Sequence, residues 1–231
     1  MKKVIALTKP TQKGYLQRMQ DASYQLMART VWDSVVSGFA PGRVRALELL
    51  DIKPSDRLLF VGEGSGLDFP YLPEQTNKDQ LYAFDFSSEM VKEMLVKAKK
   101  HGISVENCFQ ADAQKLPYSS ERFDKIYFPL SMASIPDPVL AIREAERVLA
   151  PGGRIVVFDK LMETDKPSCA RQAINYVTKP LFADITRNIR AIAQNTSLVV
   201  RHYESLAGKL DGCFAGMVGG QYKIAVLERQ R

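Results

Sequence analysis

Between residues 57 and 158 the chain alternates short apolar runs with stretches of helical periodicity. Strand-helix-strand units produce such a pattern, and they build a parallel sheet buried on both faces. The runs at 57–61, 80–84, 105–110, 125–128 and 154–158 are rich in branched or aromatic residues and end near glycine, aspartate or proline. Five strands are predicted there. After the second, Ser87 or Ser88 can cap a helix, Glu89 suits its first turn, and Met90, Val91, Met94, Leu95 and Ala98 form one stripe before Gly102. Between the fourth and fifth, Asp137 can cap and Pro138 fits the first helical position. Ile142, Ala145, Val148 and Leu149 then recur at helical spacing until Pro151, Gly152 and Gly153 turn the chain. Beyond Phe158 the pattern is mainly helical to about residue 195. Strand candidates at 198–203 and 222–227 follow, and with no long helix between them they are expected to pair antiparallel. Upstream, Tyr15, Met19, Ala22 and Leu26 share a helical face, which suits docking on the domain or lying on a membrane surface.

With 231 residues, 45% hydrophobic and 25% charged, the chain has the material for one large domain and is neither wholly disordered nor fibrous. A net charge of +6 and a pI of about 9.2 permit anionic partners but are too mild to demand nucleic acid. Cys108, Cys169 and Cys213 are odd in number and far apart, so no disulfide framework or Cys-x-x-Cys knuckle is expected. A reducing compartment fits. His101 and His202 are isolated as well, and no metal site is expected. The apolar residues 4–7 fall short of a signal-peptide core of about 7–15 residues, and no run approaches the roughly 18 needed to span a bilayer. The expectation is a cytoplasmic protein, with surface attachment to a membrane left open.

After the first strand comes Gly62-Glu63-Gly64-Ser65-Gly66, where the chain must turn sharply and admit a ligand close to its backbone. A dinucleotide fingerprint needs a third glycine where Leu67 stands, and a phosphate-cradling loop needs a Gly-Lys-Ser/Thr ending; neither is present. Glu63 at about 4 Å from a pyrophosphate charge would oppose it by about 4 kcal/mol at an effective dielectric of 20, so the loop suits a cation better. Asp85, ending the second strand, can accept from two ribose hydroxyls. In Ala111-Asp112-Ala113, ending the third, the acid can accept from an adenine amino group while a backbone N–H meets a ring nitrogen. These features surround one crevice at the carboxyl ends of neighbouring strands, where open α/β sheets bind ligands.

LLFVGEGSG, LYAFDFSSEM, ADAQKLPYSSERFDKIYF and REAERVLAPGGRIVVFD, in this order over residues 58–159, resemble the class I S-adenosylmethionine-dependent methyltransferases. The resemblance implies an α/β fold: a Rossmann-like, doubly wound sheet of seven strands, mostly parallel with an antiparallel last strand, and helices on both faces. It implies S-adenosylmethionine as cofactor and S-adenosylhomocysteine as product. It assigns Gly62, Gly64 and Gly66 to the methionyl and sugar approach, Asp85 to ribose and Phe86 to the adenine face. Asp112 and Ala113 go to the adenine edge, and Leu130 flanks the sulfonium. One departure is Phe60, which stands where the family usually has an acid; Glu63 is expected to supply the missing negative charge. The chain is read as a single domain over 1–231, with a helical cover at 10–50, a cofactor-binding core at 57–159, and a helical insertion and terminal hairpin at 160–231.

Methyl transfer from a sulfonium is an in-line displacement that needs alignment and exclusion of water rather than a triad or metal, so no catalytic residue is assigned. No histidine lies near the fourth strand to act as base, which favours nitrogen or an activated acceptor. The acceptor pocket is expected from residues 129–134, with Tyr15, Tyr24, Phe128 and Met132 as lining. GSGLDFPYLP, PDPVLAIREAERVLAPGG and QYKIAVLER are similar to small bacterial phosphatidylethanolamine N-methyltransferases and to quinone C-methyltransferases. That likeness implies a small-molecule or lipid substrate and a basic surface suited to an anionic membrane, where each nearby lysine or arginine is worth about 1 kcal/mol. Nucleic acid is not expected as a partner, since neither an Asn/Asp-Pro-Pro-aromatic segment nor an aromatic-basic stripe is present. A non-catalytic cofactor-binding scaffold is the alternative that Phe60 keeps open.

Overall fold

A computed structural model describes residues 38–163, 166–181, 183–206 and 222–230. The helix expected around Tyr15 and Tyr24 lies outside the described residues, as does most of the loop before the last strand. The described elements run α1 (Ala40–Leu50), β1 (Leu58–Val61), β2 (Leu81–Asp85), α2 (Ser88–Lys100), β3 (Cys108–Gln110), β4 (Phe123–Pro129), α3 (Pro138–Val148) and β5 (Leu149–Lys160). They end with α4 (Cys169–Leu181), α5 (Ile189–Ala193), β6 (Leu198–Ser205) and β7 (Tyr222–Arg229). The seven strands form one sheet in the order β3-β2-β1-β4-β5-β7-β6. Neighbours from β3 through β5 are parallel, and β7 runs antiparallel to β5 and to β6.

Alternation along the central strands divides the interior. Leu58, Phe60, Tyr127, Val156 and Phe158 face one side with Ala46, Leu47 and Leu50 of α1 and Val91, Met94 and Ala98 of α2. Leu59, Val61, Ile126, Phe128, Ile155 and Val157 face the other, against Ala141, Ile142 and Ala145 of α3 and Ile189 and Ile192 of α5. Because successive side chains point to opposite faces, strands apolar at every position are what a sheet covered twice requires. The sheet is therefore sandwiched between two helical layers.

The expected caps form. The Ser87 side chain accepts from the Met90 N–H, and Asp137 accepts from the Leu140 N–H with Pro138 in the first turn. Two boundaries differ. Residues 105–107 make a 3-10 turn, leaving only Cys108–Gln110 as strand. Pro151, Gly152 and Gly153 lie inside β5, where the register against β4 shifts between Phe123↔Leu149 and Lys125↔Arg154. Turn-forming residues mark bulges as well as chain ends, and here they kink a strand without ending it. Among the described residues no helix is long and apolar enough to cross a membrane.

Candidate functional site

The glycine turn is built by backbone geometry that other residues adopt at a cost. Gly62, Gly64 and Gly66 have φ of +69, +67 and +83°. The N–H groups of Gly62 and Glu63 both donate to the Phe84 carbonyl at 3.0 Å, which ties the turn to the end of β2. A Cβ on Gly62 would sit 2.5 Å from the Ser131 Cβ, so only glycine lets the segment after β4 close over β1. The Ser131 hydroxyl completes that closure by donating to the Val61 carbonyl at 2.6 Å. A Cβ on Gly64 would meet nothing within 4 Å.

Asp85 accepts from the Gly64 N–H at 2.9 Å and from the Ser87 N–H at 2.8 Å, so one carboxylate orients both the turn and the start of α2. Asp112 is nearly buried and accepts from the backbone and side-chain N–H groups of Gln114, both at 2.9 Å. Leu130 has φ +55° and donates its N–H to the Phe158 carbonyl at 2.7 Å. The following segment is held from two sides. Fully buried Asp159 accepts from the Ala133 N–H, and the Asp184 N–H donates to the Ala133 carbonyl, each at 2.7 Å.

These elements enclose one cleft. Gly62, Glu63, Gly64, Asp85, Phe86, Asp112, Ala113 and Leu130 all border it. Gly66 does not: the direction of its Cβ is filled at 3.0 Å by the ring of Phe69, so it serves close packing behind the turn. Phe128 and Met132, expected to line an acceptor pocket, are completely buried in the core on the α3 side. They support the cleft from behind, because a strand apolar on both faces does not reveal which face a residue takes. Tyr15 and Tyr24 lie outside the described residues.

Sequence reasoning missed the floor of the cleft. Arg43 from α1 also borders it and pairs with buried Asp68. The Tyr127 hydroxyl donates to Asp68 Oδ1 at 3.0 Å, and the Asp68 N–H donates to Glu63 Oε1 at 3.0 Å. Among the described residues Glu63 Oε2 is buried without a hydrogen-bond partner. Burial, then the neighbouring Asp68 charge, raises the Glu63 carboxyl well above the usual carboxylate range. Phe60, where an acid would be expected, is fully buried edge-on against the Tyr127 ring at 5.1 Å. No local signal marks Arg43 or Asp68, since they stand 25 residues apart and meet only in the fold.

Residues 59–157 match the family of the methyltransferase domain. A 27-O-demethylrifamycin SV methyltransferase from Amycolatopsis mediterranei is 31% identical over 68% of this chain and 61% of its own length. A phosphatidylethanolamine N-methyltransferase from Cereibacter sphaeroides is 30% identical over 49% of this chain and 55% of its own. A ubiquinone/menaquinone biosynthesis C-methyltransferase from Pseudomonas savastanoi is 30% identical over 62% and 57%. The chain thus spans little more than half the length of these curated relatives. Among solved structures, the [4+2]-cyclase SpnF superposes with a TM-score of 0.70 at 19% identity, covering 94% of this chain and 97% of that one. A geranyl diphosphate methyltransferase in complex with S-adenosylmethionine superposes with 0.63 at 17%, covering 81% and 85%. The residues present fit that cofactor: the space beside Gly64 is open to a ligand at the cleft wall, and among the described residues an orphaned carboxylate oxygen belongs to Glu63, which borders the same cleft. The strand order, the glycine turn and the matched segment converge, and residues 59–157 form a methyltransferase domain similar to those of these S-adenosylmethionine-dependent relatives.

Proposed function

We propose that this protein transfers a methyl group from S-adenosylmethionine to a small-molecule or lipid acceptor, the amine of a phospholipid being the finer reading. The single observation that carries the proposal is the cleft in which the glycine turn, Asp85 and Asp112 converge at adjacent strand ends. When bound, the cofactor supplies an electrophilic methyl on a sulfonium. Asp85 accepts from the N–H groups of Gly64 and Ser87, which orients its carboxylate at the strand end where two ribose hydroxyls would be met. Phe86 offers a face for the adenine, Asp112 and the Ala113 N–H its edge, and Gly62 and Gly64 let the methionyl portion approach the backbone. Leu130, held in place by Phe158, limits water beside the reacting carbon.

The acceptor side is bordered by Pro129, Leu130, Ser131, Ser134, Ile135 and Pro136. This described rim carries no side chain that titrates as a base near neutral pH, which favours an acceptor with its own lone pair. The protein's contribution is then alignment. The likeness to a phosphatidylethanolamine N-methyltransferase and the basic composition support a phospholipid amine at an anionic membrane surface. A C-methyltransferase acting on a quinone is the second reading, favoured by the relative of that kind. Incubation with methyl-labelled cofactor and separate vesicles of phosphatidylethanolamine and of demethylated quinone tests both. Label in the phospholipid amine is expected. Label only in the quinone favours the second reading, and label in neither, with cofactor bound, favours a scaffold.

A further inference from the structure

Arg43 and Glu63 border the cleft, and the carboxylate of Asp68 lies buried behind them. Arg43 and Glu63 are each 4% exposed and Asp68 is completely buried. Asp68 takes the cation, the Arg43 guanidinium, and also accepts from the neutral Tyr127 hydroxyl. Among the described residues Glu63 receives only the Asp68 N–H on Oε1, and its Oε2 has no partner although the residue borders the cleft. An ionised carboxylate in such a place is too costly to persist alone, so it either holds a proton or meets a cation. The tip of β1 offers no rival acid, because Phe60 is sealed against Tyr127.

We propose that Glu63 receives a cationic group of the ligand, the α-ammonium of the methionyl portion, and that seating this ammonium expels a proton from Glu63. The inference rests on the cofactor reading above. In the exchange the Glu63 carboxylic acid gives its proton to solvent and the carboxylate pairs with the ammonium, which keeps its own protons. The charged groups around Glu63 act consistently. Asp68 beside the turn and Asp85 of β2 oppose its ionisation, while Arg43 of α1 favours it. Tyr127 of β4 and Cys108 of β3 stay neutral, the first raised well above its usual range by burial and the second pushed up to about 12, by burial first and Glu63 next. Ligand affinity therefore rises with pH, by up to about tenfold per unit, until Glu63 is ionised without ligand, and then levels off.

Titration calorimetry in paired buffers of unequal protonation heat reads the released proton directly. S-adenosylhomocysteine, which carries the ammonium, is expected to release up to about one proton on the acid side of the transition. 5′-Methylthioadenosine, which lacks the amino-acid portion, is expected to bind with none and without pH dependence. Glu63→Gln should weaken S-adenosylhomocysteine by about tenfold or more and abolish the release, leaving 5′-methylthioadenosine unaffected. Wild-type binding of S-adenosylhomocysteine with no proton release overturns the inference and spares the cofactor reading, as does unchanged affinity in Glu63→Gln. If the wild type binds neither compound at any pH, the cofactor reading falls and the inference falls with it.

Discussion

Two nearly buried acidic clusters in this molecule have opposite charge balance. Beneath the glycine turn, Asp68 and Glu63 share one cation among the described residues, Arg43. Around Asp184 a single carboxylate has two, Lys179 at 3.1 Å and Arg187 at 3.7 Å, and accepts as well from Asn175 at 3.1 Å and the Thr186 hydroxyl at 2.5 Å. Burial works against ionisation there, yet Thr186, Arg187 and Lys179 bring Asp184 down to about 2. In the first cluster burial and Asp68 drive Glu63 the other way. An acid with surplus cations fastens a loop, while one short of a cation is left ready to meet a charge from outside.

The largest test of this contrast is Asp68→Asn. Breaking a buried pair by removing one partner costs about 3–5 kcal/mol, and a lowered urea midpoint should record it. A loss below about 1 kcal/mol would mean that Glu63 takes over Arg43, making the two acids interchangeable and erasing the asymmetry. Next come the glycines. Gly62→Ala combines a positive φ with an overlap on Ser131 and should cost about 2–4 kcal/mol. Gly64→Ala has only the strain, about 1 kcal/mol, but it adds a methyl group at a residue that borders the cleft and should weaken S-adenosylhomocysteine more than it lowers the melting temperature. Equal melting temperatures for the two variants would refute the packing role given to Gly62.

Acid titration probes the second cluster. The folded state depresses Asp184, so its stabilisation is present above the unfolded value of 3.8 and is lost as pH falls towards about 2. Asp184→Asn should flatten the stability curve in that window, and a curve parallel to wild type would show that the carboxylate charge is not what holds the loop. The smallest effect concerns Glu63 without ligand. Its folded state is raised, so stability declines as pH rises from 4.5 through the raised value, and Glu63→Gln should make the free protein slightly more stable at neutral pH. A less stable variant there would break the comparison, because Glu63 would then be satisfied already.

What could be read from the sequence was local. An apolar run followed by Gly62-Glu63-Gly64 places a turn at a strand end, and Asp85 and Asp112 inherit positions on the same edge from the strands they terminate. The two-faced burial of the strands also followed from their composition. What could not be read depends on which distant groups meet. Arg43 looks like one more surface charge on a helix, and Asp68 like a loop acid, until the fold joins them. Phe128 and Met132 show the same limit, since apolar neighbours on either side give no sign of which residue turns towards the cleft. Pro151-Gly152-Gly153 reads as a turn, and nothing local in it shows that β4 pairs on both sides of it.

Gly42 lies so close to β5 that an added Cβ would fall 2.6 Å from the Phe158 ring, and this intimacy sets the next residue, Arg43, beside the turn. The guanidinium comes from outside the matched stretch 59–157. Excising that stretch, or transplanting it onto a foreign scaffold, would carry both acids along and abandon their shared counter-ion. The recognisable motif is therefore not a portable module: its electrostatic neutrality is on loan from the helix that precedes it.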